Sequence, residues 1–233
     1  METSLHRELK SLYAGDAAQT EVRLGRFRID AVVGDELVEV QHGSLSAIRD
    51  KIAKLLKKHP VRVVKPLVVK KTLVKRECEN GPVVERRQSP KRGQIWDLFQ
   101  ELVYFTRVFP HPRLTLEVPL VEIEEWRFPG HGRRRRWRVN DFQVEDQKLI
   151  AVLGEHHFRT AADLAALLPS GMPRPFHTGD LSQAAAIHRS IACRVTYCLR
   201  NMGAVKQAGK RGNALLYELP RSRKGSKKKR RAA

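Results

Sequence analysis

The chain is poor in cysteine, in aromatic residues and in acid. Its 233 residues include three cysteines, Cys78, Cys193 and Cys198, with no pair in C-x-x-C spacing. That number cannot build a disulfide framework, and reduced thiols in the cytoplasm are expected. No run of 18 apolar residues occurs, so no transmembrane helix is expected. The opening METSLHRELK lacks the apolar stretch of a signal peptide. The location read from these absences is cytoplasmic, nucleoid-associated if the source is bacterial. His156 and His157 are adjacent and lack spaced Cys or His partners, so a zinc site is not expected. Aromatic residues make up 6%, and no cluster of them suggests a base-stacking surface of the kind that reads single-stranded RNA.

Acid is scarce only relative to base. There are 25 Asp and Glu against 45 Lys and Arg, a net charge of +20. A solvated basic face accounts for a few units of charge, and the remainder points to a polyanion, with nucleic acid ahead of a membrane surface. The apolar fraction of 41% is that of a globular protein. Turn residues and charge divide the chain into residues 1–130, of mixed helix and strand pattern; a basic linker over 131–150 that begins in PGHGRRRRWR; residues 151–220, mainly helical and ending in a hairpin pattern; and a solvated tail over 221–233.

The first part opens with Leu5, Leu9, Leu12 and Tyr13 on one helical face. A strand in TEVRLG follows, then two β-branched runs flanking Gly34-Asp35. A helix starts after Ser44, a plausible N-cap, with Leu45, Ile48, Ile52, Leu55 and Leu56 on its stripe. VRVVKPLVV reads as a buried strand, giving the order α-β-β-β-α-β. LVKREC as strand, IWDLFQELVYF as helix and LTLEVPLVEIEEWRF as a long strand complete this part.

A two-residue turn at Gly34-Asp35 sets the hairpin register, because glycine supplies a positive φ. Val33 then faces Glu36, Ala31 faces Val38, Asp30 faces Glu39 and Arg28 faces Gln41. Alternation puts Ile29, Ala31, Val33, Val38 and Val40 on an apolar face, and Arg28, Asp30, Glu39 and Gln41 on the other. Carboxylates opposed across a strand pair have Cβ atoms roughly 4.5–5.5 Å apart and repel. Something must neutralise them: either an oxygen-preferring cation such as Mg²⁺, or a solvated network with Arg28 and nearby lysines. On this reading, loss of one charge by Asp30→Asn relieves repulsion and leaves the metal-free protein level or slightly more stable.

An opening helix with an acid (Glu8), then Asp30, then Glu39-Val40-Gln41 on the next strand and a helix after it, resembles the PD-(D/E)XK superfamily of restriction-endonuclease-like nucleases. The resemblance covers residues 4–70 or so. Ile29 stands where the superfamily has proline, and Gln41 where it has lysine. It implies a restriction-endonuclease-like αβββαβ core with a mixed sheet, and phosphodiester hydrolysis with Mg²⁺ or Mn²⁺ held by Asp30, Glu39 and the Val40 carbonyl. Gln41 would orient a water, Lys51 on the following helix would supply the missing charge, and Glu8 would complete the metal's shell. Double-strand cutting by this fold uses two active sites, so a homodimer is among the expected states.

In Phe176–Leu219 a short helix from about Thr178 precedes a longer one striped by Ile187, Ile191, Val195, Cys198, Leu199 and Met202. Gly203 closes it, and AVKQ and ALLYEL flank the turn AGKRGN. The pattern resembles a winged helix-turn-helix. Arg189, Ser190, Arg194 and Tyr197 on the long helix, with Lys206, Lys210 and Arg211 on the wing, suit DNA phosphates and base edges. The alternative for this module is protein contact. The sequence as a whole reads as an α/β nuclease-like domain followed by a mainly α winged-helix domain. Its leading function is a metal-dependent DNA endonuclease. The alternative is a DNA-binding regulator whose nuclease-like domain is inactive, and an RNA substrate stays open.

Overall fold

A computed structural model describes residues 3–15, 19–130 and 141–220. Among these no helix is long and apolar enough to cross a membrane. The fold is mixed α/β. Helix α1 spans Ser4–Ala14, capped by the Thr3 side chain. It buries Leu5, Leu9 and Tyr13, while Leu12, expected on the same stripe, is 56% exposed. Positions 5, 9 and 13 recur every four residues and hold the contact line; position 12 falls beside it.

Strands β1 (Gln19–Leu24), β2 (Phe27–Val33) and β3 (Glu36–Val40) form an antiparallel meander. Gly34, with φ 62°, takes the tight turn between β2 and β3, and the register is the expected one: Val33 opposite Glu36, Val32 opposite Leu37, Ala31 opposite Val38. Helix α2 (Leu45–Leu55), N-capped by Ser44, crosses over to β4 (Val61–Val64), which lies parallel to β3. The chain continues through Lys65-Pro66 into β5 (Leu67–Arg76). Both β4 and β5 lie parallel to β7 (Leu114–Pro129), and the register carries over from Val64 opposite Glu117 to Leu67 opposite Leu120 before it shifts between Val68 and Lys70. One long line of chain therefore carries β3 beside its first part and β6 (Val83–Gln88) beside its second. The helix expected over Ile95–Phe105 is a 3₁₀ turn, Ile95–Asp97, leading into the short α3, Leu98–Leu102.

The domain boundary needs correction. Phe142–Phe158 forms a 17-residue strand, β8, along the other side of β7, where the sequence suggested a linker to 150 and helix beyond. Its charged and apolar residues do not alternate cleanly, because the β7–β8 pairing shifts register in three places, which hides the strand's period of two. The arginine-rich stretch Arg133–Arg138 and the tail over 221–233 lie outside the described residues.

After β8 come α4 (Ala161–Ala165), α5 (Thr178–Ala184), α6 (Arg189–Asn201) and a hairpin of β9 (Lys206–Arg211) and β10 (Ala214–Glu218). The expected turn over AGKRGN is tighter than anticipated. Arg211 faces Ala214, so the turn is Gly212-Asn213, with Gly212 at φ 57°, and Lys210 and Arg211 belong to the strand.

Two apolar clusters flank the sheet. One joins Leu5, Leu9 and Tyr13 of α1 to Ala31, Val38, Val40, Val121 and Ile123. The other is larger. It joins Ile48 and Ile52 of α2, Leu98, Phe99 and Leu102 of α3, and Leu181, Val195 and Leu199 of α5 and α6. The C-terminal helices thus share one continuous core with the sheet.

Candidate active site

The β2–β3 ladder stops at Ala31–Val38, and the site lies just past that point. Asp30 is opposite Glu21 of β1 by register, and Glu21 has φ 58°, a left-handed conformation rare outside glycine. Here the faces change over: Ile29 packs with Leu37, Ile48 and Ile52, whereas Ala31 and Val40 pack under α1. The expected continuous face with Ile29 and Val40 together is therefore broken. In place of the next ladder bond, the Val40 amide donates to Asp30 Oδ2 at 2.8 Å.

The two carboxylates are served by different helices. Asp30 Oδ1 lies 3.6 Å from His6 Nε2 and 3.7 Å from Lys10 Nζ, both on α1. Glu39, 6% exposed, accepts from Lys51 of α2 through Oε1. Lys51 also donates to the Arg28 carbonyl. Glu39 Oε2 is buried and has no hydrogen-bond partner among the described residues.

The electrostatics separate the pair. Burial pushes Asp30 upward, but hydrogen bonds from His6 and the Val40 amide, with the charges of His6 and Lys10, hold its carboxyl below the usual range. At Glu39 burial prevails over the Lys51 hydrogen bond, and the Asp30 charge adds to it, so its pKa rises to about 7. One carboxylate is firmly ionised and its neighbour is poised near neutrality.

Gln41 belongs to the same site. Its Nε2 donates to the Ser44 carbonyl at 2.9 Å. A carbonyl can only accept, so the amide orientation is fixed by chemistry, and Gln41 Oε1 is left as the polar atom for the cavity the residue lines. That cavity, about 450 Å³, is bordered by Thr3, His6, Lys10, Arg28, Asp30 and His42 among others. Burial, and then the charge of Lys65, hold the His42 imidazole below its ordinary pKa.

Asp30 and Gln41 thus line one cavity, Glu39 feels the Asp30 charge but pairs with Lys51 of α2, and Val40 contributes its amide to Asp30; the expected Asp30–Glu39 ladder pair is absent. Glu8 is not part of the group. Its Oε2 accepts from the Leu149 amide of β8 at 2.7 Å, a strand absent from the sequence reading, and α1 presents His6 and Lys10 to Asp30 in its place. On α6, Arg189, Ser190, Arg194 and Tyr197 are exposed, as are Lys206, Lys210 and Arg211 on β9, where Lys206 pairs with Glu218 at 2.9 Å.

His6, Lys10, Glu21, His42 and Lys65 were not singled out by sequence. The i, i+4 spacing of His6 and Lys10 was the available signal. A second polar group was also missed. Glu117 and His157 face each other across β7 and β8, and their ligating atoms and one from Glu155 lie within 4.8 Å of one another. Arg62 donates to Glu117 at 3.2 Å and Tyr13 to Glu155, so protein groups already satisfy these acids. Only the β7–β8 pairing brings His157 to its partners.

The fold and site define an α/β protein with a charged cavity where an antiparallel meander meets a parallel crossover. The chain belongs to the family described as a domain of unknown function, DUF8091, which matches residues 3–159. The match ends just after β8, leaving α4 to β10 beyond it. The chain is also 32% identical over 218 residues, 93% of its own length and 84% of the relative's, to an uncharacterized protein of Treponema pallidum (strain Nichols). No solved structure matches the chain.

Proposed function

We propose that the protein is a metal-dependent nuclease that hydrolyses DNA phosphodiesters. The observation that carries this reading is the buried, unpartnered Glu39 Oε2 beside an ionised Asp30. A buried carboxylate oxygen without a partner is costly, and a cation would satisfy it.

The donor set is all oxygen: the Asp30 and Glu39 carboxylates and the Val40 carbonyl. Such a set fits Mg²⁺ or Mn²⁺ and not a thiolate- or imidazole-seeking metal. Asp30, Glu39 and the Val40 carbonyl would hold the ion, which when bound polarises a phosphate and acidifies a water. Gln41 Oε1 would accept a hydrogen bond from that water and orient it without taking its proton. Lys51, freed from Glu39, would face the phosphate. The order α1-β1-β2-β3-α2-β4, with the meander antiparallel and β3 parallel to β4, supports a restriction-endonuclease-like core. Helices α5 and α6 followed by the β9–β10 hairpin, with Gly203 at φ 78°, support a winged-helix reading with the exposed face of α6 toward DNA. The net charge of +20 supports a nucleic-acid partner.

A second reading is favoured by one observation. Lys51 on Glu39 and His6 and Lys10 at Asp30 neutralise the carboxylates without a metal, as a DNA-binding protein with a silent site would have it. Supercoiled plasmid incubated with Mg²⁺ or Mn²⁺ separates the two: nicking by the wild type and not by Asp30→Ala supports the nuclease, and binding without nicking supports the regulator.

A further inference from the structure

The loop joining β3 to α2 carries Gln41, His42 and Gly43 into the cavity wall, and its shape is imposed largely from outside. Lys65, at the β4–β5 junction, donates through Nζ to the His42 carbonyl at 2.8 Å and the Gly43 carbonyl at 2.6 Å. The next carbonyl, of Ser44, is taken by Gln41 Nε2. Glu101 of α3 accepts the amide of Leu45, the first residue of α2, at 2.9 Å. The Gln41 backbone amide donates to the Val64 carbonyl at 2.8 Å. The carbonyls of residues 42–44 all turn to fixed partners, and Lys65 and Glu101 together hold the loop.

Lys65 is 4% exposed. A buried ammonium is far costlier than an apolar side chain of the same length, and burial lowers its proton affinity while the Glu101 charge opposes that effect. A core that needed only volume here would be better served by leucine or methionine. What the ammonium supplies is a single point toward which two successive carbonyls must turn. This geometry holds Gln41 Nε2 on Ser44 and leaves Oε1 as the remaining polar atom of a residue that lines the cavity.

We propose that Lys65 and Glu101 are positioning residues for the active site. They fix the loop so that Gln41 and His42 stand at a set distance from Asp30 and Glu39. The inference rests on the nuclease reading of that site. Without the Lys65 ammonium, two carbonyls seek water, and the loop moves outward with Gln41 and His42. Misplacement of a catalytic group by about 1 Å is enough to cost about 10²-fold in rate. DNA contacts made elsewhere on the protein are untouched.

The test uses the full chain with Lys65→Met, which keeps length and removes the ammonium, and Glu101→Leu beside Glu101→Gln, which keeps an acceptor for the Leu45 amide. Plasmid cleavage kinetics in saturating Mg²⁺ are read together with amide hydrogen exchange. In Lys65→Met kcat falls by about 10²-fold with KM within about twofold, and exchange rises at residues 42–45 but not in β7. Glu101→Leu behaves in the same direction, and Glu101→Gln recovers most of the activity. Should Lys65→Met fail to fold, the Glu101 pair alone decides. Wild-type kcat in Lys65→Met or in Glu101→Leu, or unchanged exchange at 42–45, overturns the positioning role and leaves the nuclease reading intact. A wild type that never cleaves overturns both.

Discussion

The Val40 amide donates to Asp30 Oδ2 at 2.8 Å at the point where the backbone ladder between β2 and β3 stops. The aspartate does in side chain what the ladder no longer does in backbone, and its other oxygen is turned to His6 and Lys10. Asparagine at 30 keeps an acceptor for the Val40 amide and loses the charge that faces His6 and Lys10. Asp30→Asn is therefore expected to lower metal-free stability by on the order of 1 kcal/mol, where simple relief of repulsion between two carboxylates would raise it. Thermal melts in EDTA give the sign. The same variant should lose plasmid cleavage and keep its affinity for duplex DNA.

Glu39 gives the metal-free protein a characteristic pH dependence. Its carboxyl, 4.5 in the free residue, is raised to about 7 in the fold, so between those values the folded state binds more protons than the unfolded state. The stability it contributes is complete below 4.5 and is lost as pH rises through about 7. Melting temperature in EDTA should fall across that window for the wild type, and Glu39→Gln should flatten this part of the curve. An unchanged slope in the variant would remove the buried-acid description of Glu39.

The N-terminal order of elements and the hairpin register were legible because apolar spacing and a Gly-Asp turn are local signals. The same local signals singled out Asp30, Glu39 and Gln41, and Lys51 near the middle of the helix behind them. The reversal of faces at Asp30 was not, since it coincides with the left-handed Glu21 on another strand. Strand β8 stayed hidden behind its register shifts, and with it went the true partner of Glu8 and the company of His157. Lys65 read as one more residue of a basic chain; only its carbonyl partners, 22 and 23 positions away, give it a role.

The shared core makes a prediction about cooperativity. Phe99 is fully buried, and its carbonyl lies 3.8 Å from Cys198 Sγ of α6. Phe99→Ala should cost about 3–5 kcal/mol and lower one common transition, followed equally by probes in the sheet and in α6. A fragment starting near residue 139 should not fold, because it carries α6 away from Leu98, Phe99 and Leu102. A separate melt for the C-terminal helices, unaffected by Phe99→Ala, would contradict the single core.

On the exposed face of α6, Arg194→Ala should weaken duplex binding and reduce the slope of log affinity against log salt by about 1, as loss of one phosphate contact does. Lys54→Ala, on the exposed side of α2, serves as the matched control and should change neither. Equal effects from both would reduce α6 to a share of general positive charge.

The central claim is that Glu39 Oε2 and Asp30 together await a hard divalent cation. Calorimetric titration of Mn²⁺ into the metal-free protein at a pH just below 7, beside Glu39→Gln and Asp30→Asn, measures it directly. A saturable site is expected in the wild type, with proton release as Glu39 ionises, and its loss in both variants. A wild type that binds no Mn²⁺, or variants that bind it equally well, would contradict the claim and leave the carboxylates to Lys51, His6 and Lys10.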